Sequence, residues 1–165
     1  MITWVRPLKK EDIPAVLAIE MEANPSPWRV GDFLAFAEIG TLSLDPTAPD
    51  SVIPGGEKQA WVFADPEVRG FICVLGVSGE AELQSIAVEK VRWNGGIGSA
   101  LMETISLWAK KRGISTIHLE VRESNLRAIE FYGRKGFLRV GHRPKYYADN
   151  GEGAILMSLL LGSKP

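Results

Sequence analysis

Asn94, Gly95, Gly96, Ile97, Gly98 and Ser99 stand where the apolar run Ile86, Ala87, Val88 gives way to a helical pattern beginning near Ile97. Glycines without Cβ let the main chain approach a phosphate, and the first N–H groups of the following helix, at the positive end of its dipole, point at it. The chemistry implied is anion binding. Two nucleotide patterns fail on residue type. A P-loop needs Lys and then Ser or Thr after its last glycine, where this chain has Ser99 and Ala100. A dinucleotide fingerprint needs Gly or Ala three positions after Gly98, where Leu101 stands, and it belongs after the first strand of a βαβ unit. Alone, such a turn is equally a tight strand-to-helix connection. The single cysteine, Cys73, is the other reactive candidate. A thiol nucleophile wants an adjacent base, only His118 and His142 are on offer, and the apolar run Phe71 to Leu75 makes Cys73 a core residue.

The residues after the turn decide its meaning. From Ser115 to Arg122, Ile117, Leu119 and Val121 alternate with Thr116, His118, Glu120 and Arg122, the pattern of a strand with one polar face. Ser124 and Asn125 are helix N-cap types, and a short helical pattern with Ile129, Phe131 and Tyr132 stops at Gly136, before Phe137. The run L-E-V-R-E-S-N-L-R-A-I-E-F-Y-G-R-K-G-F resembles the second half of the GNAT superfamily of N-acetyltransferases, which take acetyl-CoA as donor. Within it the chain is most similar to the ribosomal-protein-alanine N-acetyltransferase family, from about Leu83 to about Leu159. The first half matches loosely, through Arg6 to Glu20, Pro27 with Trp28, and Phe33.

The resemblance implies a mixed α/β fold, a mostly antiparallel sheet flanked by helices in the order β-α-α-β-β-β-α-β-α-β-β. It makes Glu120 the general base, taking the ammonium proton through water, and Tyr132 the general acid for the departing CoA thiolate. A phenol near pKa 10 suits that leaving group. The plain alternatives are a surface ion pair for Glu120 and a buried structural ring for Tyr132. Asn125 reads as a helix cap and, by resemblance, as a partner of the pantetheine arm. That arm is expected to pair with backbone groups of Ile86, Ala87 and Val88, one N–H polarising the thioester carbonyl, while the pyrophosphate meets the N–H groups from Asn94 to Ser99. No metal is implied. The departure is Trp93, where GNAT proteins usually carry Gln or Arg; Asn94 follows where a second polar or basic residue is usual, and Arg92 comes one position early. Weakened, not abolished, CoA affinity is expected.

For the acceptor, Y-Y-x-x-x-G-E-x-A-I-L-M from Tyr146 to Met157, with Tyr147, and the Pro27–Trp28 pair resemble the elements the alanine N-acetyltransferase family places around its peptide. Gly153 departs, since that family tends to have Asp there. An α-amino group near pKa 8 needs less help to lose its proton than a lysine near 10.4, so one water-linked carboxylate suffices. The leading expectation is acetylation of the N-terminal alanine of a small-subunit ribosomal protein. The alternatives are a GNAT enzyme for a small amine, of polyamine or antibiotic type, and a non-catalytic acyl-CoA-binding module with Trp93 across the phosphate site.

The elements that must position these groups follow from periodicity. Strand 2 to 7, helix 10 to 22 and helix 28 to 38 precede a Pro- and Gly-rich stretch, 40 to 58, which reads as a long loop insertion or a lid. Strands at 59 to 64, 69 to 77 and 81 to 88 form a meander, helix 97 to 112 buries Ile97, Leu101, Ile105 and Trp108, and strands near 137 to 143 and 153 to 161 close the chain. With 165 residues and 45% apolar content, one acetyltransferase domain over 1–165 is expected. No apolar run nears the length of a membrane span, and Asp12 and Glu20 flank the first helix instead of a signal segment, so a cytoplasmic protein without a membrane partner is expected. A net charge of −1 argues against nucleic acid, although Arg127, Arg134, Lys135, Arg139 and Arg143 make the tail locally basic and are candidates to attract CoA phosphates. Oligomeric state stays open.

Overall fold

The structure is a computed structural model that describes residues 4–37 and 56–162. Its elements are β1 (Val5–Pro7), α1 (Ile13–Ala23), α2 (Val30–Ala37), β2 (Glu57–Ala64), β3 (Val68–Val77), β4 (Glu80–Val88), α3 (Ile97–Lys111), β5 (Thr116–Arg122), α4 (Leu126–Arg134), β6 (Leu138–Arg143) and β7 (Ala154–Leu160). Their order is the one the resemblance implies. The first helix divides: Lys10–Asp12 is a 3-10 turn and the α-helix begins at Ile13, because Pro14 lacks an N–H and is tolerated only in a first turn. Glu57 and Lys58, expected in the loop, belong to β2; residues 40–55 of that stretch lie outside the described residues. Asn125 caps α4 by accepting the Ala128 N–H at 3.2 Å, and Gly136 ends that segment at φ 94°, where a Cβ would be strained.

One sheet runs β1-β2-β3-β4-β5-β7-β6, antiparallel except between β4 and β5. Alternation sets its two faces. Ile117, Leu119 and Val121 turn toward α3 and join Leu101, Ile105, Phe137 and Met157 in one core. Phe71 and Cys73 turn the other way, into a second core with Val16, Ile19 and Phe33 from α1 and α2. Cys73 is buried there, and burial, with Glu20 nearby, holds its thiol well above the ordinary range. The core reading holds. Trp108 is half-buried, edge-on to Trp61 at 6.0 Å.

The parallel pair is joined only through Glu80–Glu82 against Thr116–His118. Beyond it, β4 from Leu83 to Val88 and β5 from Leu119 to Arg122 run on unpaired to each other, leaving a gap in the sheet. A bulge shapes the gap: Val74 faces Leu83 and Cys73 faces Ser85, so Gln84 is the extra residue. The Glu89 N–H bonds Arg69 O at 2.9 Å. Antiparallel pairing alternates, so Ala87 also directs its backbone groups to β3 while Ile86 and Val88 direct theirs into the gap.

Candidate active site

The gap opens into a cavity of about 690 Å³ between the start of α3 and the inner face of α4. Ile86, Ala87, Val88, Asn94, Gly96, Ile97, Gly98, Ser99, Asn125 and Tyr132 line it. Of the proposed cofactor run only Gly95 does not; its N–H turns back to Arg92 O at 3.2 Å. The expected role of Ala87 narrows for a physical reason, since its N–H and C=O belong to the β3 ladder and only Ile86 and Val88 offer theirs to the gap. Gly96 caps α3 in the left-handed region (φ 83°), with no side chain capping the helix start and no acid in its first turn. The first-turn N–H groups, without partners inside any α-helix, thus border the cavity. Gly98 is small for another reason: a Cβ there would lie 3.2 Å from the Phe131 ring, so the residue lets α3 and α4 approach.

Trp93 does not hang free. Its indole N–H donates to Val88 O at 2.9 Å, the Arg127 guanidinium lies over its ring at 3.9 Å, and Arg127 donates to Asn94 Oδ1 at 3.3 Å. Arg92, Arg127, Phe131 and Arg134 also line the cavity. The sequence signalled Arg92 and the basic stretch as a group but gave no way to choose among its members, because choosing needs the distance between α4 and the turn.

Tyr132 is buried, its ring 5.5 Å from Phe131 and 5.7 Å from Phe137. Burial, helped by nearby Tyr147, pushes its phenol well above the ordinary range. Glu120 lies on the polar face of β5, opposite Leu156 of β7. The Glu120 carboxylate raises the phenol of Tyr146, an exposed ring, and some desolvation adds to the shift. Arg143 Nε stands 3.5 Å from Glu120 Oε1, its guanidinium 5.6 Å from the Tyr146 ring centre. The Tyr147 phenol is raised by burial, an effect that Arg122 opposes and Glu120 reinforces.

The β6–β7 loop holds the two tyrosines in place. Tyr146 and Tyr147 both donate their N–H to Glu152 O, at 3.1 and 3.0 Å, and Arg122 stacks on Tyr147 at 4.0 Å while pairing bidentately with Asp149 at 3.0 and 2.9 Å. Ser26 Oγ donates to Asp149 at 3.0 Å, joining this loop to the α1–α2 connection. Trp28, on that connection, packs on Phe33 and Phe36 and lines a separate cavity of about 240 Å³ with Asp32, Lys58 and Gln84. It is not brought beside Glu120. At Gly153 a Cβ would run into the His142 ring and the Glu123 carboxylate, which pair at 2.8 Å. An Asp, which the resembling family tends to have there, would make the exposed ends of these two side chains shift.

The acetyltransferase (GNAT) family model matches residues 13–137. A relative in Escherichia coli K12, the [ribosomal protein bS18]-alanine N-acetyltransferase, is 34% identical over 154 residues, covering 92% of this chain and 93% of its own length. The crystal structure of the Escherichia coli ribosomal-protein-S18-alanine N-acetyltransferase matches at a TM-score of 0.77 and 29% identity, covering 98% of this chain and 95% of that one. Ard1 from Thermoplasma volcanium matches at a TM-score of 0.78 and 25% identity, covering 96% and 97%.

Proposed function

The chain belongs to the GNAT family and is an acetyl-CoA-dependent N-acetyltransferase, and from that premise we propose that its acceptor is the N-terminal alanine of a small-subunit ribosomal protein. The named substrate of the Escherichia coli relative supports this acceptor, as does the tie between the α1–α2 connection and the β6–β7 loop, which frames the approach to Glu120. A cytoplasmic location goes with it. The observation that carries the mechanism is the buried Tyr132 on the wall of the cavity into which Ile86 and Val88 turn their backbone groups, with the half-buried Glu120 on the polar face of the neighbouring strand β5.

Acetyl-CoA supplies an activated acetyl group. Glu120 takes a proton from the acceptor ammonium through water, and Arg143, on a strand exposed along its length, yields its place to the amine. The amine nitrogen bonds to the carbonyl carbon as the carbon–sulfur bond breaks. The gap-facing N–H of Ile86 or Val88 stabilises the carbonyl oxygen, and Tyr132 gives its proton to the departing thiolate.

The test is release of CoA thiol with an Ala-initiated ribosomal peptide, a lysine peptide and spermidine as acceptors. Turnover confined to the Ala peptide, with Glu120→Gln and Tyr132→Phe each reducing it by about 10²- to 10⁴-fold, is the expected result. Turnover with spermidine alone moves the acceptor to small amines. Unchanged turnover in both variants removes the assigned acid and base.

A further inference from the structure

The turn from Asn94 to Ser99 offers a phosphate backbone N–H groups but no cationic side chain of its own. We propose that Arg127, carried on the face of Trp93, is the side-chain ligand for a phosphate of acetyl-CoA in this protein. The inference rests on the acetyltransferase activity and adds a residue to its donor site.

Charge and contact together select Arg127 within the cavity. Arg134 pairs with Glu130 at 2.9 Å, whereas neither Arg92 nor Arg127 has a carboxylate partner among the described residues, and of these two it is Arg127 that contacts beside the turn hold in place. An arginine in the first turn of α4 reaches the start of α3 only if something holds it there, and two contacts do so: the Trp93 ring at 3.9 Å and Asn94 Oδ1 at 3.3 Å. Stacking fixes the plane of the guanidinium while its N–H groups stay available at the edge, the arrangement that suits bidentate phosphate binding. Trp93 is fixed in turn by its indole bond to Val88 O, so the platform is tied to the same strand that faces the cofactor arm. Trp93 therefore positions a cation and does not block the phosphate site.

That indole bond occupies a carbonyl aimed into the gap, which gives the platform a second consequence. A pantetheine amide seeking Val88 O must displace the indole N–H, so Trp93→Phe, which keeps a ring for Arg127 and frees the carbonyl, is expected to bind acetyl-CoA within about threefold of wild type or tighter.

Titration calorimetry with acetyl-CoA and with 3′-dephospho-acetyl-CoA tests the assignment. Arg127→Ala is expected to weaken acetyl-CoA binding at least tenfold, with Arg127→Lys recovering part of the loss, because a charge-assisted hydrogen bond is worth roughly that factor or more. If the loss persists with the dephospho ligand, Arg127 serves the diphosphate; if it vanishes, it serves the 3′-phosphate. Arg127 is exposed, so circular dichroism and Tm should match wild type in both variants. Wild-type binding that Arg127→Ala leaves unchanged overturns the inference alone. Both Trp93 variants free the Val88 carbonyl, so binding that is tighter in Trp93→Ala, which removes the platform altogether, than in Trp93→Phe overturns it in favour of obstruction. No binding of acetyl-CoA by the wild type overturns the donor assignment and this inference together.

Discussion

The two groups proposed to exchange protons are set in opposite environments. Glu120 is half-buried, open enough to meet a water, and has Arg143 beside it, while Tyr132 is buried and keeps its proton because burial disfavours the phenolate. The raised phenol has a signed consequence. A group whose proton is held more tightly in the folded chain favours folding fully below its unfolded value, about 10 for Tyr, and loses that contribution as pH rises above it. Catalysis inherits the same sign: Tyr132 stays a competent donor throughout the range in which the acceptor amine deprotonates. We therefore expect kcat/KM to climb about tenfold per pH unit up to the amine pKa near 8 and then hold level to about pH 10. A falling limb between pH 9 and 10 that disappears in Tyr132→Phe would show the phenol to be unshifted.

At the scale of elements, the α1–α2 connection depends on one buried carboxylate. Glu20 is 1% exposed and accepts from Asn24 Nδ2 at 2.9 Å, the Trp28 N–H at 3.2 Å and Ser85 Oγ at 3.4 Å. It joins the end of α1, the start of the α2 segment and the residue just past the β4 bulge. Glu20→Ala removes three bonds and leaves part-buried donors unpaired, costing about 2–3 kcal/mol, which for a chain of this size lowers Tm by roughly 5–10 °C. Because the connection borders the acceptor side, the acceptor KM should rise severalfold while acetyl-CoA affinity stays within twofold. Equal losses on both substrates would instead mark a general loosening of the fold. The sequence showed Glu20 only as an acid on the first helix. Its burial depends on Ser85, which the bulge at Gln84 turns toward α1, and a bulge leaves no mark in an alternating pattern. By contrast β5 and α3 were legible, because each buries one regular face: period two for Ile117, Leu119 and Val121, and a four-residue spacing for Ile97, Leu101 and Ile105.

For the whole molecule, the consequential feature is that strands β1–β4 and β5–β7 meet in the sheet through a three-residue register and then part. The glycine turn and the L-E-V-R-E-S-N run were readable as local sequence, but Arg143 on Glu120 and Arg127 on Trp93 join residues far apart in the chain, and no local spacing encodes such contacts. The parting of the strands makes a prediction that separates neighbouring amides. Ala87 gives its N–H to the β3 ladder, whereas Ile86 and Val88 turn theirs into the gap, where the proposed function has an extended donor arm pair with them. In the free enzyme, amide hydrogen exchange should be slow at Ala87 and fast at Ile86 and Val88. Saturating acetyl-CoA should slow exchange at the latter two by at least tenfold, beyond the general stabilisation of about 2.7 kcal/mol that a ligand at a hundred times its Kd confers on every globally exchanging amide. Residue-resolved exchange by NMR reads both effects at once. Equal slowing at all three amides would leave only the global term and remove the backbone pairing from the donor site, whereas slowing confined to Ile86 and Val88 would identify the gap as the place where the two halves of the sheet are bridged by the donor.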